Sequence, residues 1–99
     1  MKLNFSDIGT FEEQYLHGKC FVDGREMRLV VEADTESGEI VTYDVFGDNK
    51  AHSTRESGSR DNLILLRKAG RDVFYRGEIL AERIRGRVQL FKRGEDVKL

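Results

Sequence analysis

From Lys19 to Phe46 apolar and polar residues alternate, KCFVDGREMRLVVEADTESGEIVTYDVF, and the run is interrupted twice by turn-forming residues. Side chains of a strand point alternately to opposite faces, so this pattern predicts half-buried β-strands. Asp23-Gly24 stands between Val22 and Arg25 as a two-residue hairpin turn and pairs Cys20 with Met27. A second turn, in ADTESGEIV, ends at a left-handed Gly38 and predicts Ala33 against Val41 and Val31 against Tyr43. Cys20 shares the parity of Val22 and Met27, which marks it as a buried apolar thiol.

The alternation then stops. GDNKAHSTRESGSRDN, residues 47–62, contains Ala51 as its only apolar residue and reads as a long mobile loop. Beyond it, LILLRKAGRDVFY predicts a hairpin turning at Gly70-Arg71, with Leu66 against Tyr75 and Lys68 against Val73. The stretch YRGEILAERIRGRVQL, from Tyr75 to Leu90, nearly mirrors itself. Folded about a four-residue turn at Leu80–Arg83, it sets Ile79 against Ile84, Gly77 against Gly86 and Arg76 against Arg87. That register places Tyr75, Ile79, Ile84, Val88 and Leu90 on one face and Arg76, Glu78, Arg85 and Arg87 on the other. A rival pattern makes EILAERIRG an amphipathic helix, since Ile79, Leu80 and Ile84 fall near helical spacing. At the N-terminus Thr10-Phe11-Glu12-Glu13 has the form of a capping box, predicting a two-turn helix to His17 stopped by Gly18.

Together these elements predict a mainly β fold. It is a small antiparallel six-stranded barrel or two-layer sandwich built from two three-stranded meanders, 19–46 and 63–92, with a short N-terminal helix. A chain of 99 residues suits one β-rich domain over 1–99. The absence of proline is compatible with paired strands, because proline removes a ladder donor. A single cysteine excludes an intramolecular disulfide, and the N-terminal residues lack the apolar run of a signal peptide. LILL is the longest aliphatic run, far short of the ~20 residues of a membrane span, so a cytoplasmic chain that does not enter a membrane is expected.

Candidate chemistry is sparse. His17, Cys20 and His52 lack the close spacing of a zinc set, so no metal and no cofactor is expected. Ser53, Thr54, Ser57 and Ser59 cluster near His52, but in a polar loop they read as solvated side chains without the fixed geometry that catalysis needs. The expectation is therefore a non-enzymatic chain.

Charge changes that picture in one respect. Residues 1–66 carry seven Lys/Arg against thirteen Asp/Glu, whereas residues 67–99 carry ten against five. On the predicted register Arg76 lies directly opposite Arg87, a like-charge pairing that a purely structural hairpin avoids. Arg85 and Arg67 join that face, along with Phe74 and Phe91. Cations and rings side by side suit two kinds of partner. A protein partner or a second copy of the chain would use Phe74 and Phe91 as anchors and the arginines as electrostatic contacts. RNA or single-stranded DNA would stack on the rings and meet the arginines with phosphates. The outer faces also carry many apolar residues, including Phe21, Phe46, Leu63 and Leu65, which favours the protein or homodimer reading of an interaction module. A ligand carried inside a barrel has less support, because a six-stranded barrel has little interior left once Tyr43, Tyr75 and the aliphatics fill it.

Overall fold

Asp23 and Gly24 take positive φ, 51° and 81°, as a two-residue turn of this kind requires, and Cys20 pairs with Met27 as the pattern predicts. A computed structural model of the chain describes residues 2–5, 10–11, 18–55, 57–92 and 97–98. Its elements are β1 (Lys2–Asn4), β2 (Lys19–Val22), β3 (Arg25–Met27), β4 (Val30–Asp34), β5 (Glu39–Thr42), α1 (Arg60–Lys68), β6 (Val73–Arg76), β7 (Ile79–Arg85), β8 (Val88–Lys92) and β9 (Val97–Lys98). They form a mainly β structure of two antiparallel sheets and one helix, ordered β1-β4-β5-β7-β6 and β3-β2-β8-β9. The expected N-terminal helix falls largely on residues 12–17, outside the described residues; Phe11 is fully buried and packs edge-on against Phe5.

The two meanders are replaced by crossings between sheets. The strand expected to run unbroken from Arg25 to Ala33 breaks at Leu29, which takes a φ of 53°, so that β3 joins one sheet and β4 the other. Thr42 Oγ1 donates to Arg28 O at this break, 2.6 Å. The β4–β5 hairpin is one residue out of the predicted register: Ala33 faces Ile40 and Asp34 faces Glu39. Asp34 is the reason, because its Oδ1 accepts from the backbone N–H of Glu36 (3.0 Å) and Ser37 (3.3 Å) and thereby claims the turn residues. These bonds hold its carboxyl below the usual aspartate range.

The segment LILLRK is helix, not strand. Ser59 caps it by accepting from Asn62 N, Asp61 lies in the first turn, and Arg67 and Lys68 lie in the last. Leu63 and Leu66, three apart on one helix face, pack with Val45, Val73, Leu80 and Tyr75. The near-palindrome contains one tight turn and one bend in place of a single wide turn. Gly77-Glu78 closes β6 onto β7, setting Arg76 against Ile79 and Tyr75 against Leu80. Gly86-Arg87 then carries the chain into β8, which pairs with β2 in the other sheet. Arg76 therefore does not face Arg87.

The main apolar cluster lies where the sheets meet: Cys20, Val22, Val88 and Leu90 from one, Val30, Ala33 and Ile40 from the other, with Phe5 and Phe11. Cys20 is fully buried there, as expected. Each such Val, Leu, Ile or Phe contributes about 1.5–3 kcal/mol when wholly buried. The second cluster, around Leu63 and Leu80, occupies the helix end of the five-stranded sheet. Between the clusters Arg71 grips the buried Glu82 with two hydrogen bonds, Nε to Oε2 at 2.9 Å and Nη2 to Oε1 at 2.6 Å, and Nη2 also donates to Val45 O. This ties the α1–β6 turn to β7 and to the chain leaving β5.

Candidate functional sites

The six residues singled out in the sequence are dispersed. Phe74, Arg76 and Arg85 share the outer face of the five-stranded sheet. Cross-strand register aligns Arg85 with Glu39 and Asp34, and Arg76 with Ile79. Arg87 sits on the β7–β8 turn with its side chain exposed, and its backbone N–H donates to Asp23 Oδ1 at 2.9 Å. Phe91 lies on the other sheet, in edge-on contact with Phe21 at 5.7 Å, so it shares no face with Phe74. Arg67 belongs to α1 and donates from Nε to Val73 O at 3.0 Å, tying the helix to β6.

On the outer face the arginines are matched by carboxylates. Arg76 Nε reaches Glu32 Oε2 at 3.0 Å, Nη1 reaches Tyr43 Oη at 2.7 Å, and Nη2 reaches Asn4 Oδ1 at 2.9 Å. Desolvation lowers the Arg76 pKa, but the hydrogen bonds to Tyr43 and Glu32 outweigh it and leave it raised. Arg85 Nε bonds Glu39 Oε1 at 2.8 Å, which raises its pKa likewise. Arg83 lies over the Phe74 ring at 4.9 Å and 3.7 Å from Asp72. Sequence reasoning did not select Arg83; its cross-strand position beside Val41 and its reach over Phe74 follow only from the true register. The face is thus a balanced ion-pair lattice over a small apolar patch of Val31, Val41 and Ala81. Arg76, Arg83 and Arg85 each already have a carboxylate within 4.0 Å.

Apolar exposure concentrates elsewhere. Among the described residues the exposed large hydrophobics are Phe46, Ile64 and Leu65, at 39%, 41% and 63%. Each adjoins in sequence a residue of the helix-end cluster: Phe46 follows Val45, Ile64 follows Leu63, and Leu65 precedes Leu66. Exposed cations accompany them, Arg60, Arg67 and Lys68 on α1 against Asp61.

The segment expected to be a solvated loop is built against the sheet. Thr54 N donates to Glu78 O and Leu80 N to His52 O, so residues 52–54 line the start of β7, and Tyr75 Oη donates to Gly58 O at 3.0 Å. His52 is buried, with Phe46 edge-on to its ring at 4.9 Å. Its Nε2 lies 2.7 Å from Asp48 Oδ2, and its Nδ1 lies 2.6 Å from Ser57 Oγ. Partial desolvation raises the Asp48 carboxyl, but the bond to His52 and the backbone donors outweigh it and hold it below the usual range. Of the polar side chains expected to be merely solvated, Ser57 is hydrogen-bonded to His52, and Ser59 caps α1. No local pattern signals the burial of His52, because it follows from residues 52–54 lying against β7.

No group of three or more His, Cys, Asp or Glu among the described residues is arranged to hold a metal ion; His17 lies outside them. No described helix is long and apolar enough to cross a membrane. Comparison with known protein families, with curated proteins and with solved structures finds no match to this chain.

Proposed function

We propose that the chain is a macromolecular interaction module that docks a protein partner over Phe46, Ile64 and Leu65 at its helix end. The supporting observation is that each large hydrophobic left exposed is the chain neighbour of a residue of one cluster, and that Ile64 and Leu65 stand on α1 with its cations. Leu65, 63% exposed, would gain about 1–2 kcal/mol on complete burial, the scale of an interface anchor. With three cations to one carboxylate on the helix, the fitting partner presents apolar residues among acidic ones. The arginine face of the five-stranded sheet is the weaker surface, because its guanidinium groups would have to leave Glu32 and Glu39 to engage a partner.

Affinity capture from source-cell lysate tests this with three baits: the wild-type chain, Leu65→Asp, and Arg85→Ala. A protein retained by wild type and Arg85→Ala but lost with Leu65→Asp is the expected result. Loss that follows Arg85→Ala instead would move the site to the sheet face. Fluorescence anisotropy with labelled single-stranded oligonucleotides separates the nucleic-acid reading, which requires binding that weakens steeply as salt rises. Light scattering reports whether the partner is a second copy of the chain.

A further inference from the structure

Asp48, His52 and Ser57 form a hydrogen-bonded relay that docking does not use. Asp48 Oδ2 can only accept when ionised, so the 2.7 Å contact places the imidazole proton on Nε2. In the neutral ring Nδ1 is then the acceptor, and the Ser57 hydroxyl, its Oγ 2.6 Å away, donates to it. A hydroxyl that donates to a neutral imidazole, itself held by a carboxylate, is in the arrangement that activates a serine for attack. His52 is buried, which fixes the ring, while Ser57 is exposed, which leaves its oxygen accessible to a reagent. Ser57 also stands two residues before Ser59, the cap of α1, at the helix end whose dipole favours negative charge. The Phe46 ring supplies an exposed apolar surface against the imidazole.

We propose that Ser57 is a nucleophile towards small activated esters with an apolar acyl or aryl group, with His52 as general base and Asp48 as the residue that positions it. Ser57 Oγ attacks the ester carbonyl carbon as its proton passes to Nδ1 of His52, giving a tetrahedral oxyanion. Collapse breaks the bond to the leaving oxygen, which departs as the alcohol with the proton from Nδ1, and the acyl group remains on Ser57. Water then attacks the acyl carbonyl while giving a proton to Nδ1. The bond to Oγ breaks, Oγ recovers that proton, and the carboxylic acid is released. The esterolytic step needs no bound partner, although Phe46 is common to both surfaces.

The test uses p-nitrophenyl acetate with the full chain, reading nitrophenolate release and, by peptide mapping, the acetylated residue. The expected outcome is acetylation at Ser57 and release at least about a hundred-fold faster than from Ser57→Ala, the lower edge of what a positioned base contributes. Asp48→Asn slows release by about ten-fold or more with unchanged far-ultraviolet circular dichroism. Asp48→Glu, which keeps a carboxylate acceptor for Nε2, recovers part of that rate. A merely structural Asp48 would lose rate only in step with stability, read by urea unfolding. Release from Ser57→Ala or Asp48→Asn at the wild-type rate, or acetylation of lysines and other serines as fast as of Ser57, overturns the assignment.

Discussion

Replacing Arg71 by alanine removes the cation that neutralises Glu82 and frees Val45 O from its donor. The Glu82 side chain is 11% exposed, so without Arg71 an ionised carboxylate stays in the sheet interior with no opposite charge. Breaking a buried pair from one side costs about 3–5 kcal/mol, and Arg71, 36% exposed, places this case near the lower limit. A loss of about 3 kcal/mol lowers Tm by roughly 12–24 °C in a domain of this size. Thermal and urea unfolding followed by circular dichroism measure it. Adding Glu82→Gln to Arg71→Ala should recover about 1 kcal/mol or more, since a neutral amide needs no counter-charge. A loss below about 1 kcal/mol, or no recovery in the double variant, would refute the claim that this pair fastens the helix end to the sheet.

Three further outcomes follow from the same contacts. Ser59→Ala removes the acceptor for Asn62 N and should cost about 1 kcal/mol, read by urea unfolding, whereas Ser59→Asp should restore most of it. Gly58→Ala would place a Cβ 2.5 Å from His52 O and 2.6 Å from Ser53 O, both backbone atoms, so it should destabilise by about 1–3 kcal/mol and protect the 52–58 segment less well in hydrogen exchange. The lowered carboxyls of Asp34 and Asp48 stabilise the fold above the ordinary aspartate range, and that contribution is lost as pH falls below it. The pH at which wild type begins to lose stability should therefore lie higher than that of Asp34→Asn/Asp48→Asn, measured by urea midpoints between about pH 5 and pH 2.

What the sequence discloses here depends on how local the cause is. Asp23-Gly24 makes the β2–β3 hairpin because both residues tolerate positive φ, a property legible in two letters. The β4–β5 turn is nearly as legible, but the one-residue slip comes from a side chain, Asp34, bonding its own turn. LILLRK satisfies strand and helix patterns alike, since a short apolar run has no period; the deciding signals are Ser59, Asp61 and the terminal Arg67 and Lys68. Mirror symmetry around Leu80–Arg83 suggests one hairpin, yet Gly77 marks a tight turn and Gly86 a bend, and no local pattern states that β8 changes sheets. That change disperses the expected arginine cluster. The ion pairs of Arg76 with Glu32 and Arg85 with Glu39 span 44 and 46 residues, beyond any window of sequence pattern. The bonding of His52 to Asp48 and Ser57 depends likewise on residues 52–54 lying against β7, a tertiary fact.

The docking surface is tested most directly by a photo-crosslinking amino acid introduced at Leu65 and, separately, at the exposed Arg25 on β3, with irradiation in source cells. Docking through the helix end predicts a discrete protein adduct from position 65 and none of comparable yield from position 25. Equal yields at both positions, or no adduct at 65, would contradict it.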